Sequence, residues 1–243
     1  MPALLAMTSA DGATDPVTAA AATLARTLGL PLRVVELNAD AANASAAALQ
    51  QVQDPEVALA VLPQLRGDRA AVITEMIQRC SKPLVLVPLQ GRAVSSDLIR
   101  RVLVPLDGST RSAETVAETV ALFAATGADI VVLHVFDAGT VPMFWDQPAH
   151  AHASWEDEFL ARYCNHPDAR LELRSGVPGE SILEVASSER ADLIVLGWTQ
   201  NLSPGRARAL RTALLGARVP LLLLPIPGTG VTGSPTIASE TTR

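Results

Sequence analysis

Apolar residues along this chain gather in short unbroken runs, set apart by longer stretches in which they recur at helical spacing. RVLVPL, IVVLHV, LIVLGW and PLLLLP, all in the second half, are the clearest runs. Such runs without a polar interruption mark strands covered on both faces, as in parallel sheets sandwiched between helices. Between them, Ser109 to Ala125 repeats its apolar positions at helical spacing with Ser109 placed as an N-cap, and Pro178 to Ser188 opens with proline at the first helical position. Alternation of strand and helix predicts an α/β chain with a doubly wound open sheet. Its ligand crevice lies beyond the carboxyl ends of the strands, where the winding reverses. Asp107, Val135 and Gly197 all fall at such ends.

The first ninety residues repeat the pattern in reduced form. Pro2 to Thr8, Leu32 to Leu37 and Val57 to Leu62 read as strands, and Pro16 to Leu28 as an alanine-rich helix. CSKPLVLVP then repeats GARVPLLLLP, with Arg69 and Arg206 each 14 residues before the strand-opening Pro83 and Pro220. One alanine-rich segment, Asp40 to Gln53, stands where the second copy fits a helix, a strand and another helix, so the first copy lacks its third strand. The expected fold is two doubly wound open parallel sheets: five-stranded, 3-2-1-4-5, in the C-terminal domain and four-stranded, 2-1-4-5, in the N-terminal one. The lost strand is a sheet edge, so the core stays continuous. The last strands, Leu84 to Val87 and Leu221 to Leu224, are apolar edges that invite aggregation if exposed; pairing them as an intramolecular pseudo-dimer buries both. The boundaries expected are 1–89 for the degenerate first domain, 90–98 for a polar linker, 99–227 for the second domain and 228–243 for a Gly-, Ser- and Thr-rich disordered tail.

Composition narrows the function classes. No apolar run reaches the roughly 18 to 20 residues of a membrane span, and Met1 to Met7 lacks the basic start of a signal peptide, so a soluble cytoplasmic protein without a membrane partner is expected. A net charge of −6 weighs against a nucleic-acid partner, which needs a basic face. Cys80 and Cys164 set no disulfide framework and read as buried small hydrophobes. Lys82 is the single lysine and is followed directly by Pro83. That removes any Walker-type loop and leaves kinase or pyridoxal-phosphate chemistry no other lysine. GxSxG, HExxH and CxxC are absent too, so no catalytic residue and no enzyme activity are expected. His150 and His152, with Glu156 and Asp157 beyond, are two histidines on a flexible loop; they read as solvent-exposed, and no metal site is expected.

Between Arg101 and Pro227 the succession RVLVPLDGS, ADIVVLHV, GVPGESILEVASSERADLIVLGW and VPLLLLP resembles the universal stress protein domain. That resemblance implies an adenine-nucleotide crevice, with Pro105, Asp107 and Val135 at its adenine and ribose positions and Gly197 opening a phosphate loop of the form G-x2-G-x9-G-[ST]. Only Gly197 matches that loop. Gln200 takes the second glycine's place, the loop is shorter, and Ala207 and Arg208 stand at the final G-[ST]. Losing two or three charge-assisted hydrogen bonds of roughly 1.5 to 3 kcal/mol each lowers affinity by about three decades or more. A weakly held ATP or another adenine nucleotide is therefore the cofactor expectation.

A replacement anion site is expected where Ser203 caps a helix starting at Pro204, with Gly205, Arg206 and Arg208 in its first turn. The alternative is that Arg206 and Arg208 pair with Glu180 or Asp192, or are solvated. His134 reads as a core hydrogen-bonding residue rather than a ligand contact. The aromatic insertion Asp137 to Ala153, with Phe144 and Trp145, is a covering loop, a lid over the crevice or a docking surface.

Two function classes lead. One is a non-catalytic stress-response or signalling module acting through protein partners, with a homodimer as a further option and no tight ATP. The other is a nucleotide or anion sensor that uses the C-terminal crevice. An enzyme on the same fold comes third, for want of a base, nucleophile or metal set.

Overall fold

The computed structural model describes residues 2–8, 16–37, 43–64, 70–88, 97–136, 149–164, 166–201 and 207–226. The N-terminal half runs β1 (Ala3–Thr8), α1 (Pro16–Leu28), β2 (Leu32–Glu36), α2 (Ala44–Gln53), β3 (Val57–Pro63), α3 (Ala70–Arg79) and β4 (Leu84–Val87). The C-terminal half runs β5 (Arg101–Pro105), α4 (Thr110–Ala125), β6 (Asp129–Phe136), α5 (Ala149–Tyr163), β7 (Arg170–Ser175), α6 (Pro178–Ser188), β8 (Leu193–Trp198), α7 (Arg208–Gly216) and β9 (Leu221–Pro225). The apolar runs are strands, and the stretches with helical spacing are helices.

The nine strands among the described residues share one sheet, in the order β2-β1-β3-β4-β9-β8-β5-β6-β7. Within each half every pairing is parallel. The C-terminal order β7-β6-β5-β8-β9 is the expected 3-2-1-4-5, and β2-β1-β3-β4 is the same winding without its third strand. The halves join through their last strands, which run antiparallel with Leu84 opposite Leu223, Val85 opposite Leu222 and Leu86 opposite Leu221. Two sheets thereby become one, and two apolar edges disappear.

Alternation along β4 and β9 divides their side chains between two cores. Leu84, Leu86, Leu221 and Leu223 enter the core under α2, α3, α6 and α7. Val85, Val87, Leu222 and Leu224 enter the one under α1, α4 and α5. Each core therefore crosses the seam between the halves. Burying each such Val or Leu contributes roughly 1.5 to 3 kcal/mol, so apolar burial on both faces holds the seam.

Polar anchors fix the strand ends away from the crevice. Lys82 Nζ donates to the carbonyl oxygens of Asp54, at 2.5 Å, and Val57, at 2.6 Å, and so closes the turn between α2 and β3. Desolvation holds its ammonium below the ordinary lysine range. Asp192 accepts from the backbone amides of Arg100, at 2.9 Å, and Arg101, at 3.1 Å. The edge strand β7 carries Arg170, paired to Glu189, and Arg174, paired to Glu172, charges that discourage pairing with another chain. Both cysteines are buried and unpaired, and burial pushes each thiol up. Among the described residues no helix is long and apolar enough to cross a membrane.

Helix α5 starts earlier than the sequence suggested. His150 and His152 lie in its first turn instead of on a loop. Ala149, Ala151 and Ala153 explain the extension, since alanine is the strongest helix former. Phe144 and Trp145 lie outside the described residues.

Candidate functional site

Winding in the C-terminal half reverses between β5 and β8, whose neighbours are laid down in opposite directions from that point. A cavity of about 560 Å³ opens at the carboxyl ends there. That is the size and place of a small-molecule site in an open α/β sheet. Pro105, Asp107, Val135 and Gly197 all line it, so four residues spread over 92 positions of the sequence, from 105 to 197, meet in one space. Trp198 and Ile226 add apolar wall.

The turn after β5 is built by Asp107. Its Oδ1 accepts from the Ser109 amide at 2.9 Å and from Ser109 Oγ at 2.7 Å. Ser109 Oγ in turn accepts from the Ser112 amide at 3.2 Å, which makes Ser109 the N-cap of α4 as expected. Between them Gly108 takes φ +79°, a conformation that costs glycine nothing. A Cβ there would also stand 3.5 Å from His134 Cε1. One carboxylate oxygen is thus committed to the turn.

His134 makes the core hydrogen bond expected of it and also lines the cavity. Its Nδ1 lies 2.9 Å from the Leu106 carbonyl oxygen. A carbonyl only accepts, so Nδ1 carries a proton and donates. The same ring lines the cavity. Phe136, Trp155 and Phe159 pack around it with ring centroids 4.6, 5.6 and 4.8 Å away. Phe159 is buried, so this part of the aromatic cluster covers the sheet.

Three helices begin at the cavity wall. Ser112 of α4, Pro178 and Ile182 of α6, and Ala209 and Leu210 of α7 all line it. Among the described residues neither α6 nor α7 has a side-chain cap hydrogen bond, and each helix start carries a partial positive charge.

Helix α7 begins later than Pro204, where the sequence placed its start. Ala207, not Ser203, occupies the N-cap position of α7, and Arg208 is its first residue. Ala207 takes φ +50°, outside the right-handed helical region, so α7 begins after it. Ser203, Gly205 and Arg206 lie outside the described residues. Arg208 is exposed and is not part of the cavity wall, although both its neighbours are. Asp192, one carboxylate considered for these arginines, is engaged at the opposite end of the strands by Arg100 and Arg101.

At the two described positions where the loop pattern calls for glycine and this chain has another residue, the backbone is nevertheless left-handed: Gln200 has φ +60° and Ala207 φ +50°. The loop keeps a glycine's conformation with side chains that sterics disfavour there. Sequence reasoning missed what Gln200 does. Its Nε2 donates to the carbonyl oxygen of Cys80 in the other half, a contact 120 positions distant that no local pattern signals.

Comparison with known proteins agrees with this geometry. The universal stress protein family model matches residues 98–218. Among solved structures, a universal stress protein from Archaeoglobus fulgidus DSM 4304 aligns over 82% of this chain and 73% of its own, at 13% identity and a TM-score of 0.57. A functionally unknown protein from Pseudomonas aeruginosa PAO1 aligns over 83% and 74%, at 11% identity and a TM-score of 0.57. A universal stress protein from Archaeoglobus fulgidus in complex with dAMP aligns over 51% of this chain and 97% of its own, at 20% identity. Its TM-score of 0.38 lends nothing to the choice of ligand here. No curated protein matches the chain. The family match runs from β5 to α7 and takes in the crevice at the β5–β8 reversal, so residues 98–218 form a universal stress protein domain.

Proposed function

We propose that the chain is a non-catalytic stress-response or signalling module whose C-terminal cavity takes the base-and-ribose end of an adenine nucleotide, weakly and without tight hold on a triphosphate. One observation supports this: Pro105, Asp107 and Val135 line the same cavity as Ala207, an arrangement that fits the two ends of a nucleotide site with its phosphate end altered. Asp107 uses Oδ1 in its turn, which leaves Oδ2 for a ribose hydroxyl. Apolar walls suit a base. The phosphate end offers uncapped helix amides but, at position 207, a methyl group where close backbone approach favours glycine.

A non-catalytic role fits the wall chemistry. Asp107 and His134 are the titratable side chains among its described lining residues, each already hydrogen-bonded to the fold. Output through protein partners, including a second copy of the chain, belongs to the same proposal, as does a cytoplasmic location. Calorimetry with AMP, ATP and Mg-ATP on wild type, Asp107→Ala and Arg206→Ala tests it. The expected ATP Kd is above about 100 μM, with further weakening in Asp107→Ala. Tight Mg-dependent ATP binding, or steady-state turnover of ATP, overturns it.

A further inference from the structure

The cavity belongs to the C-terminal half, yet two of its walls are tied to the N-terminal half by glutamines. Gln200, three residues past Gly197 at the exit of β8, donates Nε2 to the carbonyl oxygen of Cys80, the residue that follows α3. Gln64, directly after β3, is only 4% exposed and donates Nε2 to the carbonyl oxygen of Leu214 in the last turn of α7. The two bonds mirror one another. Each leaves the exit of one half's penultimate strand and reaches the end of the other half's last helix.

Both tethered elements are cavity wall. Gly197, Trp198 and Thr199 lie on the first, and Ala207, Ala209 and Leu210 on the second. The first tether also bears strain, because Gln200 holds φ +60°. A side chain stays in that region only where its surroundings over-determine it, and the bond to Cys80 is such a constraint.

We propose that the N-terminal half is a built-in regulator of the cavity: Gln200 and Gln64 interlock the loop after β8 and helix α7 with the partner half, so that cavity occupancy and interlock are thermodynamically linked. Whatever loosens the interlock then alters affinity, and an occupant alters the interlock by the same factor. This half of the proposal rests on the ligand reading above; the interlock itself does not.

The test uses the full chain with Gln64→Leu, Gln200→Ala, Gln200→Gly and the pair Gln64→Leu with Gln200→Ala. Gln64→Leu keeps bulk and removes the donor, and Gln200→Gly removes the tether while relieving the backbone. Hydrogen exchange without ligand is read first. Gln64→Leu should speed exchange in 197–201, and Gln200→Ala should speed it in 208–217, each loosening the element that the other glutamine holds. Effects confined to each residue's own tether would overturn the interlock. AMP binding is read second: each single change should shift Kd at least threefold, and the pair should depart from the sum of the singles. Unchanged Kd in all variants overturns the linkage. Cross-loosening with no AMP binding by wild type leaves the interlock standing and defeats the ligand reading instead.

Discussion

Val85 and Leu222 face each other across the antiparallel pair β4–β9, and each lies two residues after the proline that opens its strand, Pro83 or Pro220. They are the same position in the two copies of the repeat. Leu84 opposite Leu223 and Leu86 opposite Leu221 are related by exchange of the halves, so a pseudo-twofold axis passes between Val85 and Leu222. The repeated apolar edge is thus its own partner, and both cores run through the axis.

From that continuity the chain should unfold as one unit. Leu222→Ala removes a side chain that is 2% exposed, and should cost about 2 to 5 kcal/mol. Urea unfolding followed by far-UV dichroism and by tryptophan fluorescence should give coincident single transitions for wild type and variant. A variant in which fluorescence from the C-terminal half melts apart from the dichroism would show that the halves are separate folding units.

Helices α6 and α7 cross closely at two glycines, and the two should respond differently to a methyl group. A Cβ on Gly179 would stand 2.6 Å from Thr212 Cβ, whereas one on Gly216 would meet Leu183 Cδ1 at 2.5 Å. Thr212 offers a β-branched stem with little freedom; Leu183 offers the end of a flexible side chain. Gly179→Ala should therefore lose about 1 to 3 kcal/mol through overpacking. Gly216→Ala should be near neutral, since alanine's helix propensity offsets a small shift of Leu183. Thermal midpoints decide it, and equal losses would contradict the assignment.

How far the sequence spoke depended on the range of the interaction. Strands such as Val57–Pro63 and Leu221–Pro225 were legible because burial on both faces demands an unbroken apolar run, and the missing third strand was legible from chain length alone. Asp107, Val135 and Gly197 could be gathered in advance because strand order fixes which carboxyl ends adjoin, while Pro105 was implied by the family resemblance. The start of α7 was not legible. Ser203-Pro204 reads as a helix start, whereas α7 begins at Arg208 after a left-handed Ala207, a conformation that alanine does not advertise. Nor were the glutamine bridges legible, since amide side chains declare no partner, and theirs lie 120 and 150 positions away.

Glu189 makes stability depend on pH in a defined window. The hydrogen bond from Arg170 holds its carboxyl below the ordinary value of 4.5, helped by the charges of Arg170, Arg101 and Arg174. Because the folded value lies below the unfolded one, the unfolded chain binds more protons between the two. The contribution is therefore fully present above about pH 4.5 and is lost as pH falls through the folded value. With the two side chains 47% and 22% exposed, solvent screening limits it to about 1 kcal/mol or less. Urea midpoints of wild type and Glu189→Gln from pH 7 to pH 3 should differ at the top of the range and converge below pH 4. A gap that widens toward acid would show the sign to be wrong.

Ala207 and Arg190 offer a test of stored backbone strain at and away from the cavity. Both are left-handed, with φ +50° and +53°, and a left-handed L-residue costs roughly 1 to 2 kcal/mol, of which glycine's greater unfolded-state entropy takes back about half. Ala207→Gly and Arg190→Gly should each stabilise the chain by about 0.5 to 1 kcal/mol. They should part company in binding. Arg190 follows α6 at the far end from the cavity, so its substitution should leave affinity for AMP and ATP unchanged. Ala207 lines the cavity at the start of α7, where removing the methyl group lets an anion approach the uncapped amides. Ala207→Gly should therefore tighten ATP at least fivefold while changing AMP less. Equal gains for both ligands would place the methyl group against a part they share, and no gain for either would remove the start of α7 from the site.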